Sequence, residues 1–232
     1  MIDYGRFEAL TFDCYGTLID WETGITAAAR ALLGDALADR SDEELLAAFA
    51  AVEHEAEVPY QRYREVLAFC FRRIGERFGI PVDDAQAAAF AGSVGEWPPF
   101  PDSTPALRRL QGRFTLAVIT NCDDDLFARS EARLQVKFDH VITAEQARSY
   151  KPDQRNFQLA HERVGVPPGR ILHVAQSLYH DHVPAKRLGM TTVWINRRAG
   201  KGGGGGATPP ADATPDAVFP DLASFAAAAT AG

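Results

Sequence analysis

Apolar residues recur along this chain in two different rhythms. Near the N-terminus a short run, Ala9-Leu10-Thr11-Phe12, stops at Asp13 and is soon followed by Gly16. Such a run, closed by turn residues, predicts a buried strand and then a loop. From about Trp21 to Phe90 the chain turns Ala-rich, with Arg and Glu interspersed. That stretch shows no strand pattern and predicts about four helices. Ser41-Asp42-Glu43-Glu44 has the form of a capping box at the head of one of them. Pro59 and Gly79-Ile80-Pro81 punctuate the region, and Trp97-Pro98-Pro99-Phe100-Pro101 ends it.

Beyond that point strand and helix patterns alternate. Thr115 to Ile119, His140 to Ile142, Ile171 to Val174 and Thr191 to Ile195 predict strands; Asp125 to Leu134, Gln154 to Val164 and Pro184 to Leu188 predict helices. The alternation predicts an α/β fold, a Rossmann-like parallel sheet with helices on both faces and right-handed crossovers. Residues 1–18 and 98–232 are assigned to this core, and 19–97 to an inserted helical cap. The run Gly202 to Gly206, followed by Ala207-Thr208-Pro209-Pro210, lacks the Lys-Ser/Thr ending of a phosphate-binding loop and is expected to be a solvent loop. The Ala-rich stretch around Phe225 predicts a short closing helix.

Composition narrows the function. The 232 residues carry 24 Lys plus Arg against 31 Asp plus Glu, a formal net charge of -7, which disfavours broad binding to nucleic acid. Cys14, Cys70 and Cys122 are far apart and form no CxxC pair, so neither a zinc site nor a disulfide framework is expected. No basic-then-apolar leader and no run of membrane-spanning length is present. A soluble, cytoplasmic protein acting on a small molecule is expected, with no nucleic-acid or membrane partner; a homodimer is left open.

Open parallel sheets place their sites beyond the carboxyl ends of the strands. Asp13 follows the first strand, Thr120-Asn121 the second, Lys151 (in Ser149-Tyr150-Lys151-Pro152-Asp153) the third, and Asp181 (in Gln176-Ser177-Leu178-Tyr179-His180-Asp181) the fourth. A carboxylate, hydroxyls, an amine and a second carboxylate on one rim suit nucleophilic catalysis by a carboxylate. Each has a plainer reading beside it. Asp13 would serve as a turn residue, Thr17 and Asp181 as helix caps, and Lys151 as a surface lysine. Asp123-Asp124-Asp125 is expected to cap the following helix. His180 and His182 lack a third ligand for a metal. Glu53 and His54 are expected to be solvated. Tyr15, Trp97 and Phe100 suit either a pocket wall or the core, and Cys14 and Cys122 are small wall residues.

Phe12-Asp13-Cys14-Tyr15-Gly16-Thr17-Leu18 resembles the first motif of the haloacid dehalogenase-like hydrolase superfamily. Thr120-Asn121 resembles its second motif, Lys151-Pro152 its third, and the Gln176 to Asp181 loop occupies the place of its fourth. The order is the family's, and the helical insert looks like the family's cap. Phosphatases of the superfamily usually carry Asp two residues after the nucleophile and two acids in the fourth motif that help hold magnesium. Here those places hold Tyr15 and, for one of the acids, Gln176. The pattern is most similar to the L-2-haloacid dehalogenases. The resemblance implies hydrolytic dehalogenation of a small 2-haloacid, with Asp13 as nucleophile, Thr17 and Lys151 supporting its charge, and Asp181 as base for water. Tyr15, Thr120, Asn121, Gln176 and Ser177 are then candidates for substrate contact. A cap arginine holds the halide in that branch; Leu46 to His54 offers no counterpart, so Arg62 and Arg64 are the substitutes. Neither a metal nor another cofactor is expected. The runner-up readings are a magnesium-dependent phosphatase and a silent binding protein.

Overall fold

The computed structural model describes residues 2–199 and 211–231. The expected Gly202–Gly206 loop lies outside them. Six strands form one sheet: β1 (Ala9–Phe12), β2 (Thr115–Thr120), β3 (His140–Thr143), β4 (Ile171–Ala175), β5 (Thr191–Ile195) and β6 (Ala217–Phe219). Their spatial order is β3-β2-β1-β4-β5-β6, and every neighbouring pair is parallel. β1 and β4 are buried along their whole length, which is why they read as nearly continuous apolar runs.

Alternate residues of each strand feed opposite faces. Leu10, Phe12, Leu116, Val118, Leu172 and Val174 join the larger apolar cluster. There they meet Leu107 and Leu110 of α5 (Ser103–Gln111), Leu126 and Phe127 of α6 (Asp124–Leu134), and Phe225 of α10 (Leu222–Ala229). Ala9, Ala117, Ile119 and Ile142 face the other way, onto Phe157 and Ala160 of α8 (Arg155–Val164) and Ala185 of α9 (Val183–Arg187). The sheet is thus covered on both sides, as the alternating pattern implied. A one-turn helix, α7 (Ala144–Ala147), follows β3.

Between β1 and α5 run α1 (Trp21–Leu33), α2 (Asp42–Ala56), α3 (Tyr63–Phe78) and α4 (Asp84–Gly92). The capping box at Ser41 is formed: the Ser41 hydroxyl accepts from the Glu44 N–H, and the Glu44 carboxylate accepts from the Ser41 N–H. Phe71 and Phe90 stack at 4.3 Å and tie α3 to α4. A Cβ on Gly24 would stand 2.2 Å from the Trp97 ring, so a glycine is needed where α1 meets it. Among the described residues, no helix is long and apolar enough to cross a membrane.

Three elements exceed the sequence expectations: α5, α7 and β6. α5 begins Ser103-Thr104-Pro105, right after the Pro-rich punctuation, and β6 is a three-residue edge strand with a largely exposed Val218. Neither presents the long periodic signal that marks an element in a sequence. The segment after β4 also differs: Leu178–His182 forms a π-helical turn that runs directly into α9.

Candidate active site

β1 lies between β2 and β4, where the chain reverses its direction of travel across the sheet, and this reversal opens a crevice at the strand ends. Asp13 leaves β1 at that point, its N–H held by the Val174 carbonyl at 3.1 Å. The next residues fold tightly, with the Cys14 carbonyl accepting from the N–H groups of Thr17, Leu18 and Ile19. Gly16 has φ of +95°, a conformation that favours glycine, and a Cβ there would crowd Trp21 and Gln176.

This turn brings Thr17 back over Asp13. The Thr17 hydroxyl donates to Asp13 Oδ2 at 2.6 Å. It also accepts from the Gln176 N–H at 2.9 Å, which directs its single proton to the carboxylate. Lys151 Nζ donates to Asp13 Oδ1 at 2.8 Å, to Asp181 Oδ1 at 2.8 Å and to the Ile119 carbonyl at 2.9 Å. Its side chain is only 2% exposed, so the surface-lysine reading is excluded. Asn121 fixes the lysine from behind: its Nδ2 donates to the Lys151 carbonyl, and its Oδ1 accepts from the Lys151 N–H. Asp181 is fully buried, and His173, midway along β4, sits between it and Thr11 at 3.1 and 2.9 Å.

These neighbours set different ionisation tendencies. Burial pushes Asp13 up, and the Lys151 charge offsets this only in part. Burial acts on Asp181 too, but Lys151 and His173 together outweigh it and hold that carboxyl well below its usual range. Burial alone would lower Lys151; the two aspartates overcome it and leave the ammonium firmly charged.

A small cavity of about 70 Å³ opens on Asp13, lined also by Tyr15, Trp21, Glu53, Glu57, Tyr63, Trp97, Asn121, Lys151, Ser177, His180 and Asp181. The Tyr15 hydroxyl is engaged by Ser130 at 3.0 Å and Cys122 at 3.4 Å, and its ring meets Trp97 edge to face. Ser177 caps the π-helical turn by accepting from the His180 N–H. Burial drives the His180 imidazole down to about 4, so it is neutral near pH 7.

Four residues expected at the substrate are placed elsewhere. Arg62 and Arg64 do not line the cavity. Both reach Asp125 at the head of α6, at 3.0 and 2.5 Å, and Arg62 also pairs with Glu145. Arg62 is the N-cap of α3 rather than a residue within it, so helical spacing does not separate the two side chains. Thr120 ends β2 fully buried, away from the cavity lining. Gln176 contributes its backbone: its N–H goes to Thr17 and its carbonyl accepts from Trp194 Nε1. Its side chain borders a separate hollow that includes Phe100, Arg197 and Arg198.

The Asp123–Asp125 run stands at the head of α6 as expected, Asp123 at the N-cap and Asp124 and Asp125 in the first turn, but the Asp123 side chain makes no cap bond to α6. Asp123 caps α3 across the insert boundary, accepting from the Tyr63 and Arg64 N–H groups at 2.9 and 3.0 Å. Asp124 accepts from Thr143 and Gln146. Glu53, expected to be solvated, lines the cavity together with Glu57, Trp21, Tyr63 and His180.

The haloacid dehalogenase-like hydrolase family model matches residues 7–187. The chain belongs to this family. Among its curated relatives, the (S)-2-haloacid dehalogenase H-109 of Pseudomonas putida is 27% identical over 216 residues, covering 87% of this chain and 91% of the relative. The 5-amino-6-(5-phospho-D-ribitylamino)uracil phosphatase YigB of Escherichia coli is 31% identical, covering 84% and 86%. A solved L-2-haloacid dehalogenase from Xanthobacter autotrophicus with chloropropionic acid covalently bound shares the fold, with a TM-score of 0.79 over 95% of this chain and 97% of that one at 22% identity.

Some haloacid dehalogenase-like hydrolases use magnesium, and the donor set here fits it poorly. Lys151 already bridges Asp13 and Asp181, and Tyr15 stands where a third acid would help. Among the described residues, no group of three or more His, Cys, Asp or Glu side chains is placed to hold a metal ion.

Proposed function

We propose that this hydrolase removes halide from a small 2-haloacid through an aspartyl ester at Asp13. The observation that carries the reading is the Asp13 environment. Thr17 and Lys151 each hold one carboxylate oxygen, while the position two residues on is a tyrosine whose hydroxyl is turned to Ser130. A carboxylate so held can attack carbon, and Tyr15 supplies no acid at the place where phosphatases of the family usually carry one. Halide needs none, because it departs as a stable anion.

In the first step an Asp13 oxygen bonds to the halogen-bearing carbon, and the carbon–halogen bond breaks with its electrons on the halide. Whichever oxygen forms the ester, the other keeps a donor, Thr17 or Lys151, that polarises the new carbonyl. Water then adds to that carbonyl and the ester C–O bond breaks; one water proton ends on the departing hydroxy-acid oxygen, the other passes to solvent, and the Asp13 carboxylate is regenerated. Asp181 Oδ2 is buried without a hydrogen-bond partner and is the acceptor available to orient this water. Its depressed pKa makes it a better orienter than a proton store. The named substrates of the haloacid dehalogenase relatives support the choice of 2-haloacid. The phosphatase reading is weaker, since Tyr15 replaces the usual acid and Lys151 is already shared between Asp13 and Asp181, where a metal ion would have to sit.

Turnover of 2-chloropropionate in ¹⁸O-water with enzyme in excess tests this. Label is expected in Asp13, with unlabelled product oxygen from the first cycle. Label in the product alone would mean that water attacked the substrate directly.

A further inference from the structure

The cavity has one feature that the aspartyl chemistry leaves unused. Its cap side is formed by two carboxyls from one helix, Glu53 within α2 and Glu57 at its C-cap, four residues apart and therefore on the same face. Glu57 is 6% exposed at its side chain, and its carboxyl makes no hydrogen bond among the described residues; the His54 imidazole stands 3.6 Å away. Glu53 accepts only from the Tyr63 hydroxyl, at 2.8 Å. The cavity thus gathers four carboxyls against one ammonium, and that ammonium is held by Asp13 and Asp181. No arginine lines it among the described residues. Among the described residues that line it, no cation is left free to meet an anionic substrate.

We propose that Glu53 and Glu57, carrying protons, are the anchors for the substrate's carboxylate. The inference rests on the 2-haloacid reading and names the groups that hold that acid. A protonated carboxyl is a hydrogen-bond donor, and a carboxylic acid facing a carboxylate makes a charge-assisted bond. The arrangement favours the protonated state. Burial, the main cause, raises Glu53 to about 7, with the Tyr63 bond opposing it. Burial and then the neighbouring Glu53 raise Glu57 to about 9, with Lys151 opposing them. An arriving anion strengthens the tendency, because the proton then serves two oxygens.

The groups facing the pair include His54 on α2, Tyr63 and Cys70 on α3, Tyr150 and Lys151 before α8, and Asp13, His180 and Asp181 from the core. Burial raises Tyr63, Cys70 and Tyr150 and so keeps them neutral at pH 9, and His180 is neutral from about pH 5. Lys151 stays charged and Asp181 ionised over this range; Asp13 and His54 are the remaining facing groups, and Asp13→Asn and His54→Gln remove them in turn.

The test is calorimetric binding of propionate, which carries the carboxylate and no leaving group, to the intact protein at pH 6 and pH 9. Affinity is expected to fall roughly a hundredfold between these values, the factor for one required proton with a pKa near 7, and binding at pH 8 should take up a proton from buffer. Asp13→Asn and His54→Gln should each keep this profile. Glu53→Gln/Glu57→Gln keeps N–H donors at every pH and should flatten it. Equal affinity at both pH values in the unaltered protein, no proton uptake, or tighter binding of propionamide than of propionate at pH 6 would each overturn the proposal. Failure of dehalogenation appears separately, as no halide released from 2-chloropropionate at any pH.

Discussion

Lys151→Met removes one ammonium and keeps most of the apolar stem. The lost contacts are two charge-assisted hydrogen bonds to buried carboxylates and one to the Ile119 carbonyl. At about 1.5–3 kcal/mol for each bond to a charged group, the two carboxylate contacts give about 3–6 kcal/mol. Breaking a buried ion pair on one side costs about 3–5 kcal/mol, in the same range. The cost should depend on pH. In the unaltered protein Asp181 is held below its unfolded pKa, so its stabilisation is present above about pH 4 and lost as pH falls. Without Lys151, Asp13 and Asp181 become two adjacent buried carboxylates that cannot comfortably both ionise. Their pKa rises above the unfolded value, so folding takes up a proton. The variant then gains stability as pH falls from 8 to 5, by up to about 1.4 kcal/mol per pH unit for one proton.

Urea unfolding midpoints at pH 5 and pH 8 provide the assay, with Lys151→Met/Asp181→Asn as the partner variant. The single variant should be most destabilised at pH 8, and the double variant should recover part of the loss there. Turnover should fall at least about a hundredfold in the single variant, the scale of one lost charge-stabilising group. A pH-independent loss below about 1 kcal/mol, with near-normal turnover, would refute the role of Lys151 as the buried counter-ion of both aspartates.

Two further outcomes follow from the geometry. Arg64→Ala should change stability by at most about 1 kcal/mol, its partner Asp125 being exposed, whereas Arg62→Ala should cost more because Arg62 also pairs with the buried Asp123; both should leave KM for 2-chloropropionate within about twofold, since neither side chain lines the cavity, and steady-state kinetics and urea melts check both. Exhaustive chelation should leave halide release unchanged and added magnesium should not raise it, while activity on a phosphate ester that vanishes with chelator and returns with magnesium would overturn the dehalogenase reading in favour of a phosphatase.

The core of the fold was legible because parallel strands covered on both faces must be apolar nearly throughout, and polar residues then mark their ends. Asp13 and the strand-end loops stood out on that ground. The cap was legible as helix and illegible as site. α2 is so rich in alanine that its buried side stands out only through Leu45 and Phe49. Continued at the same spacing of four, that stripe reaches Glu53 and Glu57, so two acids on a buried line were the available signal. His173 offered another: an imidazole inside an apolar strand needs a partner, and it finds Asp181. Arg62 and Arg64 were misplaced because the start of α3 sets their directions, and that start depends on Asp123, sixty residues away, holding the first N–H groups of the helix. Local spacing carries no information about such a distant cap.

The division of charge between core and cap has a chemical consequence. On the proposed mechanism Lys151 keeps Asp13 available as a nucleophile and is consumed in doing so, since Asp181 takes the opposite side of the same ammonium. Substrate charge is then left to be recognised by the cap. An arginine there would hold an anion over the whole accessible pH range, because its charge is permanent. A carboxyl pair does so only while it keeps its protons, so the chemistry at Asp13 and the capture of the acid would respond to pH separately. Turnover of bound substrate would stay level through neutrality while capture weakened on the alkaline side. On this reading KM rises with pH and kcat does not, whereas an ionised nucleophile paired with a cationic anchor would leave both unchanged across the same interval.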